Sequence, residues 1–501
     1  MIERYRSKVI AQIWEDRTKL DAWQKVELAV VEARSLLGII PPTVFMEVNR
    51  ILGSTQVYLE WWKEREEKIG HDLQAWVEER VRLLPSELQG HFHDGMTSYD
   101  TEETAFLMLL KYSANIVVGE CTQLLEALST LALKYRRCPM MAITHGQHAE
   151  VQTFGKRCLT WHREIFLARN RVRDEAARLN MSKLSGAVGN YGEITPEIEE
   201  KALALLGFKP FFGATQILPR QIHVPLASAL ATLVVAISKI GVDIRLGARS
   251  PRPIYQEPFG KSQKGSSAMP HKKNTISCEQ LEGMERMALG YLTMIMQNIS
   301  TWEERAIEQS SVERVAWPDL FHVVMRSLTV CVKVIGGLRV YPDNMIQDIL
   351  DTKGTWAAAT AKNFLRPRLV AYGISAEETY RIVQLASFNA FHPSKTAMDA
   401  RKEPPATLKE ARELIERVFG DSAIRCSIDA IIANASLSVV PELDATQEEV
   451  DKWNGALRKL FAIPGIKDNE WRGVFSVEDR LRNEDFLFDH VLLFREAPPK
   501  V

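Results

Sequence analysis

The amino-acid sequence predicts an all-helical protein organised around a long helical bundle. Apolar residues recur at helical spacing in Val26, Val30, Ala33 and Leu37, and similar patterns continue along much of the chain. From residue 226 to residue 244 the spacing alternates between four and three, a heptad typical of helices that pack lengthwise. Alternating strand patterns are almost absent. These three observations favour helices packed on helices as the architecture.

The predicted bundle contains several long helices besides the heptad itself. Stretches 115–135 and 284–299 are rich in Leu, Met and Ala and contain no proline. Because the heptad seam is entirely apolar, we expect it to be buried in an oligomer rather than exposed to water. The seam consists of Leu226, Leu230, Leu233, Ile237, Ile240 and Ile244.

Three polar breaks interrupt the helical pattern, around residues 90–101, 136–153 and 250–275. Structureless stretches of this length inside a helical protein are usually functional loops. After Gly354 the pattern changes to shorter helices joined by proline-containing connections, which predicts a separate C-terminal domain.

The charge balance gives no indication of nucleic acid or an anionic membrane as a partner. The 501 residues include 63 Lys and Arg against 64 Asp and Glu, so the net charge is −1. The longest uncharged helical stretch, 224–238, is too short to span a bilayer, and the N-terminus has no apolar signal region. An anionic ligand must therefore be bound by local clusters of cations.

Cysteine usage indicates a reducing compartment, and we expect a cytoplasmic protein. The six cysteines are widely spaced and form no CxxC pair, which argues against a zinc ribbon or a disulfide framework. They are Cys121, Cys138, Cys158, Cys278, Cys331 and Cys426.

The most unusual segment is 260–274, which combines glycines, adjacent serines and four lysines before a predicted helix. A phosphate-binding P-loop would need glycine at the position of Tyr255 and a preceding strand, so that motif is rejected. Ser266 or Ser267 could act as a base if cations and N–H dipoles stabilised the alkoxide. Lys272 and the helix start near Thr275 could provide both. The alternative is a solvated linker.

A second cluster is Thr144-His145-Gly146-Gln147-His148. Two histidines three residues apart can share one face of a helix, so a zinc site is one interpretation. A general acid of near-neutral pKa is another, and a hydrogen-bonded structural histidine is a third.

Two further clusters have simple structural explanations when each is considered alone. Helix capping explains much of the segment from His91 to Asp100. Arg305 and Arg314 would lie about two and a half turns apart if both were helical, and surface ion pairs would account for them.

Considered together, these segments resemble the adenylosuccinate lyase family of the fumarase/aspartase superfamily. Gly265-Ser-Ser-Ala-Met-Pro-His-Lys-Lys-Asn274 resembles the superfamily signature, and Thr144–Glu150 resembles this family in particular. The resemblance covers roughly residues 1–355. Further matching segments are 1–5, 97–100, 183–189 and 256–261.

The resemblance implies a fold of three mostly helical domains. We expect an N-terminal domain over 1–98, a central long-helix domain over 99–353 with the signature loop at 258–275, and a C-terminal domain over 354–501. It also implies a homotetramer with a 20-helix core, in which each active site is shared between three subunits.

The resemblance implies fumarate release from adenylosuccinate, giving AMP, and from the succinylated carboxamide nucleotide SAICAR, giving AICAR. Ser266 would be the base and His145 the acid. Lys272 and Asn274 would bind the succinyl carboxylates, His93 would support that step, and Glu279 would orient His145. No metal or cofactor is implied. The substrate-binding residues would be Arg4, Tyr5, His71, Asp72, Thr97, Ser98, Thr144, Gln216, Asn274, Arg305, Ser310 and Arg314.

The chain departs from the family pattern mainly around the nucleotide. These departures keep open a relative with another substrate, such as a carboxymuconate cycloisomerase or argininosuccinate lyase. A catalytically silent scaffold and a zinc hydrolase using His145 and His148 are further alternatives. Thr275 suits a helix N-cap, so we expect that change to be mild. The departing residues are Gly70, Tyr99, Thr275, Glu303, Ala306 and Gln309.

Overall fold

Helices dominate the computed structural model, which describes residues 1–391, 427–440 and 443–492, and the all-α prediction is confirmed. Through residue 391 the helices are α1 (Lys8–Ile13), α2 (Asp16–Leu36), α3 (Pro42–Ser54), α4 (Leu59–Ile69), α5 (Asp72–Val81), α6 (Ser86–Gln89), α7 (Ser98–Lys134), α8 (Phe154–Arg178), α9 (Pro196–Leu205), α10 (Val224–Gly247), α11 (Ile276–Gln297), α12 (Glu308–Gly336), α13 (Pro342–Asp351), α14 (Ala358–Leu369) and α15 (Ala376–Phe391). Later helices are Ile428–Ala433, Gln447–Phe461, Trp471–Val474, Val477–Leu481 and Glu484–Leu492.

The strands are short and form three two-stranded sheets in the described part of the chain. The longest pair is an antiparallel hairpin, and a second pair is parallel. The strands are β1 (Pro139–Thr144), β2 (Gln147–Thr153), β3 (Met181–Ser182), β4 (Lys209–Pro210), β5 (Tyr255–Gln256) and β6 (Arg339–Val340).

The described residues form two compact units rather than consecutive stretches of sequence. The first comprises 1–129, 160–249 and 255–339, and the second comprises 130–159, 250–254 and the described part of 340–501. The boundaries fall inside α7 and α8, so both helices contribute to each unit. The division into three domains stays a prediction.

The core of the first unit contains the heptad seam of α10. All six seam side chains are fully buried within this chain, because α10 packs lengthwise against α11 and α12. The expectation that this seam needs an oligomer to cover it is therefore wrong. Each of these side chains contributes roughly 1.5–3 kcal/mol on burial.

The second unit has its own apolar core. Helices α14 and α15 pack with the later helices around Trp453 and Trp471, which are almost completely buried. A smaller cluster joins Met141 and Val151 of the β1–β2 hairpin to Trp356. The hairpin is therefore fixed to its unit by apolar packing on one side.

Among the described residues, two helices could cross a membrane by length and composition alone, Ser98–Lys134 and the segment Arg220–Gly247 that includes α10. The expectation that this region is too short considered only its uncharged part, 224–238, whereas the helical segment extends over 28 residues. The most apolar window of the second helix is 61% buried inside this chain. A buried core helix satisfies the same criteria.

Five of the cysteines lie among the described residues, and these five are free. Burial raises the pKa of the Cys121 thiol to about 12 and likewise that of Cys331. A thiol with a raised pKa is unreactive at neutral pH. Cys426 lies outside the described residues.

Candidate active site

The N-terminus of α7 is fixed by a buried ion pair. Asp100 accepts a hydrogen bond from the backbone N–H of Thr97 at 2.9 Å, as a helix-capping side chain does. Its other carboxylate oxygen accepts from Lys183 Nζ at 2.6 Å. Both side chains are fully buried. Lys183 also donates to the carbonyl of Gly186 at 2.9 Å and to that of Gln216 at 3.1 Å, so it joins three segments.

Gln216 connects two of the predicted substrate-binding residues. Its amide nitrogen donates to Thr97 Oγ1 at 3.2 Å, and its amide oxygen accepts from an Arg305 guanidinium nitrogen at 3.2 Å. The Arg305 guanidinium lies over the ring of Tyr99, 4.0 Å from the ring centroid. Arg305 precedes α12, which begins at Glu308. Arg305 and Arg314 therefore do not lie on one helix, and the condition for the helical spacing between them is not met.

His93 is held by a buried carboxylate on α2. Its Nδ1 lies 2.7 Å from Oε1 of Glu27, which is fully buried. The hydroxyl of Thr101, on α7, donates to the same oxygen at 2.5 Å. Burial alone would lower the pKa of His93, but the Glu27 carboxylate, together with Asp100, raises it above the ordinary value. The imidazolium form is therefore favoured at this position.

Asp72 and Arg314 bring α5 and α12 together. A guanidinium nitrogen of Arg314 donates to Asp72 Oδ2 at 2.9 Å, and Lys19 lies 3.9 Å from the same oxygen. His71 is the N-cap of α5, where Nδ1 accepts from the backbone N–H of Gln74 at 3.3 Å. A capping role thus explains the His71 position without any ligand.

Next to these residues lies a cavity of about 540 Å³, within the range of small-molecule sites. Asp72, Ser310 and Arg314 are the predicted substrate-binding residues that line it. Its apolar wall includes Trp14, Trp23, Trp62 and Phe106, and its polar wall includes Lys19, Lys63, Glu102, Glu103, Arg220 and Glu313.

Burial perturbs the acids of this cavity. It raises the pKa of Glu102 to about 8, with a further contribution from Asp72, and raises that of Glu313 to about 7 despite the neighbouring Arg220. It also raises the pKa of Tyr99 to about 12. Perturbed groups in a concave, partly aromatic site indicate a functional location.

The signature loop folds back on itself through Gly265. A Cβ atom at this glycine would lie 2.0 Å from the carbonyl oxygen of Lys272, so a larger residue would not fit. Ser266 Oγ accepts from the backbone N–H of Met269 at 3.1 Å, and Lys272 is exposed. Asn274, which is half-buried, completes the candidate residues of the loop.

The loop leads into α11, whose N-terminus is capped by Glu257. This buried carboxylate accepts from the backbone N–H groups of Ser277 and Cys278 at 3.2 and 3.0 Å. Thr275 occupies the N-cap position but makes no capping hydrogen bond with its side chain. Thr275 is therefore the N-cap residue, as expected, but its side chain does not provide the cap. Glu279, in the first turn, lies 3.8 Å from Arg245.

His145 lies at the tip of the β1–β2 hairpin, in the second unit. His145 and Gly146 form a two-residue turn with φ of 53° and 77°, the left-handed geometry that tight hairpins require. Thr144 pairs with Gln147, and Ile143 pairs with His148. The two histidines consequently do not share a helix face, and that expectation is wrong. Both are exposed.

The described residues contain no group of three or more His, Cys, Asp or Glu placed to hold a metal ion. Within residues 1–391, 427–440 and 443–492, the zinc interpretation of His145 and His148 therefore lacks a third ligand from the same chain.

Within the first unit, direct contacts join Thr97, Gln216 and Arg305 in one set and Asp72 and Arg314 in another. We call these five residues, with Ser310 beside Tyr99, the half-site. Ser98 is the first residue of α7 and is half-buried. The described contacts do not join Ser266, Lys272 or Asn274 to this half-site. Arg4 and Tyr5 lie in a short 3₁₀ helix, Glu3–Tyr5, where the Arg326 guanidinium lies 5.8 Å from the Tyr5 ring centroid.

Sequence reasoning missed Glu27, Glu102 and Lys183 as parts of the site. Glu27 had a detectable signal, because it lies four residues after Trp23, on the apolar face of α2. An acid at a buried helical position needs a partner. Lys183 and Glu102 gave no comparable signal, since their partners and surroundings come from distant segments.

Comparisons with known proteins identify relatives of the chain as a whole. A family model described as a lyase matches residues 6–290, more than half of the chain. The adenylosuccinate lyase of Thermotoga maritima is 34% identical over 432 residues, which are 86% of this chain and 98% of the relative. The adenylosuccinate lyase of Aquifex aeolicus is 33% identical over 439 residues, 84% of this chain and 99% of the relative.

Solved structures show the same fold at lower identity. A fumarate lyase from Mesorhizobium sp. BNC1 matches with a TM-score of 0.73 and 20% identity, covering 99% of this chain and 100% of the other. The β-carboxy-cis,cis-muconate cycloisomerase of Acinetobacter calcoaceticus sp. ADP1 matches with a TM-score of 0.69 and 18% identity, covering 97% and 98%. At these identities the similarity concerns the fold alone.

Proposed function

Because the chain belongs to the adenylosuccinate lyase family of the fumarase/aspartase superfamily, we propose that it releases fumarate from adenylosuccinate, giving AMP, and from SAICAR, giving AICAR. The observation that carries this proposal is the identity of about one third over nearly the whole length of both relatives. The lyase activity follows from the family. The two substrates are the part that needs testing.

In the proposed reaction, Ser266 removes a proton from the succinyl Cβ as the C–N bond breaks and a C=C bond forms. His145 protonates the departing nitrogen, so that fumarate and the free amine result. Anti elimination places base and acid on opposite faces of one bond. The base lies on the loop after β5 and the acid lies at a hairpin tip, so the two groups come from separate segments, as this requirement favours.

Lys272 and Asn274 bind the succinyl carboxylates and stabilise the carbanion as its charge spreads into a carboxylate. His93 supports this step, and its raised pKa favours the cationic form that would do so. Glu279 orients His145. Because the charge develops on a carboxylate that is already paired with cations, the scheme needs neither a metal nor a cofactor.

Arg4, Tyr5, Arg305, Ser310 and Arg314 hold the phosphate and sugar of the nucleotide. The remaining pocket residues are His71, Asp72, Thr97, Ser98, Thr144 and Gln216. Support comes from the half-site, in which Gln216 holds Thr97 and Arg305 while Asp72 holds Arg314. The tryptophan-lined cavity beside it is large enough for a nucleoside.

The protein is proposed to be a cytoplasmic homotetramer whose central helices form a 20-helix core, with each active site built from three subunits. Support comes from α11, on which Leu289, Met294 and Met296 are exposed in the single chain. The sharing of active sites between subunits can be tested by mixing His145→Ala and Ser266→Ala proteins after partial denaturation. Regained activity supports shared sites, whereas inactive mixtures that have exchanged subunits would refute them.

The substrate proposal is tested with a panel monitored for fumarate: adenylosuccinate, SAICAR, argininosuccinate and a carboxymuconate. We expect turnover of the first two only. Ser266→Ala should reduce kcat by at least about 10³-fold, while Ser267→Ala, its exposed neighbour, should stay within about threefold. Absence of turnover with both nucleotides, in correctly folded protein, would refute the proposal.

A further inference from the structure

Glu102 is an acid in the cavity beside the half-site with no ion pair or hydrogen bond to any described residue. It lies on α7 one helical turn after Ser98, so both side chains project from the same face of the helix. It is surrounded by Asp72, Arg314, Arg305 and Lys19, whose charges all act on it. A carboxyl in such surroundings without a partner needs a ligand or water to satisfy it.

Four other acids of the cavity already have cationic partners, which separates Glu102 from them. The buried Arg220 forms ion pairs with two of these acids, and the Arg314 guanidinium forms an ion pair with a third. The ion pairs are Glu103–Arg220 at 2.8 Å, Glu313–Arg220 at 2.9 Å, Asp72–Arg314 at 2.9 Å and Asp16–Lys63 at 3.2 Å. Glu66, on α4, also lines the cavity without a described partner.

We propose that Glu102 binds the vicinal hydroxyl groups of the substrate's ribose and so makes the enzyme selective for ribonucleotides. The proposal rests on the proposed function. It adds a specificity-determining residue outside the set that the family resemblance supplied.

The chemistry of the two candidate substrates selects the ribose among their groups. Adenylosuccinate and SAICAR share a ribose phosphate and differ in the base, so away from the reacting succinyl nitrogen the ribose hydroxyls are the donors that both can offer. A phosphate against this carboxyl would bring two acids together. Vicinal hydroxyls can instead donate to an ionised carboxylate, and they can both donate to and accept from a protonated carboxyl.

The electrostatics of the cavity suit this role. Burial and the neighbouring Asp72 raise the pKa of Glu102 to about 8, so the carboxyl is mostly protonated at neutral pH. An uncharged acid repels a nearby phosphate less than a carboxylate does, while it still offers one donor and acceptor oxygens. Glutamine reproduces the size and hydrogen-bonding capacity of this neutral form, whereas leucine keeps only its size.

The test compares kcat/KM for adenylosuccinate with that for its 2′-deoxy and 3′-deoxy analogues. We expect the kcat/KM of the wild-type protein to be at least about tenfold higher for the ribonucleotide. This factor corresponds to one hydrogen bond of about 1.4 kcal/mol. Glu102→Gln should keep most of this preference, and Glu102→Leu should abolish it. Glu66→Leu, a control at an acid of the same cavity, should keep it. Thermal melting shows whether each variant is folded.

The outcomes separate the inference from the proposed function. If the wild-type protein cleaves the ribonucleotide but folded Glu102→Leu protein keeps its preference, the inference is wrong and the function stands. Loss of the preference in Glu66→Leu instead of Glu102→Leu would also overturn it. No cleavage of either nucleotide by the wild-type protein would remove the proposed function and the inference together.

Discussion

The buried Lys183–Asp100 ion pair makes a sharp prediction about both stability and substrate binding. Lys183→Met replaces the ammonium with an apolar side chain of similar length. The change removes the donor at 2.6 Å from Asp100 and the donors to two backbone carbonyls, of Gly186 and Gln216. Asp100 keeps the backbone N–H groups of Thr97 and Gly186, at 2.9 and 3.2 Å, but loses its counter-charge.

The magnitude follows from the burial of both partners, whose side chains have no exposed area. Removing one partner of a fully buried pair leaves an uncompensated charge and costs about 3–5 kcal/mol. By contrast, the Lys239–Glu164 pair is 49% and 35% exposed, and such a pair contributes at most about 1 kcal/mol. Lys239→Met is therefore the matched control.

Urea unfolding monitored by circular dichroism measures the effect as a shift of the transition midpoint. Adding Asp100→Asn to Lys183→Met should recover part of the loss, because the unpaired charge disappears while the cap on Thr97 remains. We also expect the KM for adenylosuccinate to rise in Lys183→Met, since Gln216 positions Arg305. A midpoint as little changed as that of Lys239→Met, or no recovery in the double variant, would refute the reasoning.

Two further predictions concern groups proposed to act in the elimination. Glu27→Gln removes the carboxylate that raises the pKa of His93, so the alkaline limb of the kcat/KM–pH profile should move to lower pH. Glu27→Asp keeps a carboxylate and is the control. A limb that stays in place in both variants would contradict this role of Glu27. Gly265→Ala should lower kcat about 10²-fold, because its Cβ would meet the carbonyl of Lys272. Gly260→Ala is the control, since the nearest atom to its Cβ would be a side-chain atom of Gln263 at 3.7 Å; equal loss in both variants would contradict the steric argument.

The long helices were predictable because their signal is local. The alternation of four and three from Leu226 to Ile244 is a property of one segment, and α10 covers it completely. The sequence could not show which neighbour covers the seam, because an apolar stripe packs equally well on another helix of the same chain or on a second copy. The expectation that an oligomer covers this seam failed for that reason.

The hairpin at His145 was missed because a spacing of three residues is compatible with more than one backbone geometry. The His-Gly pair that follows the apolar stretch 139–143 was the available turn signal, since glycine readily adopts positive φ. The cap of α11 was missed for a different reason. Glu257 lies about twenty residues before the N–H groups that it binds, and tertiary contacts of this kind leave no periodic pattern.

The candidate site was predictable in its composition but not in its internal contacts. Motif resemblance supplied Thr97, Gln216 and Arg305, yet their mutual hydrogen bonds depend on Lys183 and on how α7 begins. Buried ionic groups such as Glu27 need partners from other segments, and only three-dimensional packing identifies those partners.

The departing residue Tyr99 and the proposed base and acid, Ser266 and His145, occupy different parts of the chain. Tyr99 lies in the half-site, where its ring supports the Arg305 guanidinium at 4.0 Å, a contact worth about 0.5–2 kcal/mol. A small hydroxyl residue there would leave Arg305 held by Gln216 alone among these contacts. Tyrosine therefore restricts the guanidinium to one orientation and changes how the nucleotide is bound. Ser266 and His145 lie on a separate loop and hairpin, so such a change can alter substrate preference while leaving the acid and base of the reaction in place.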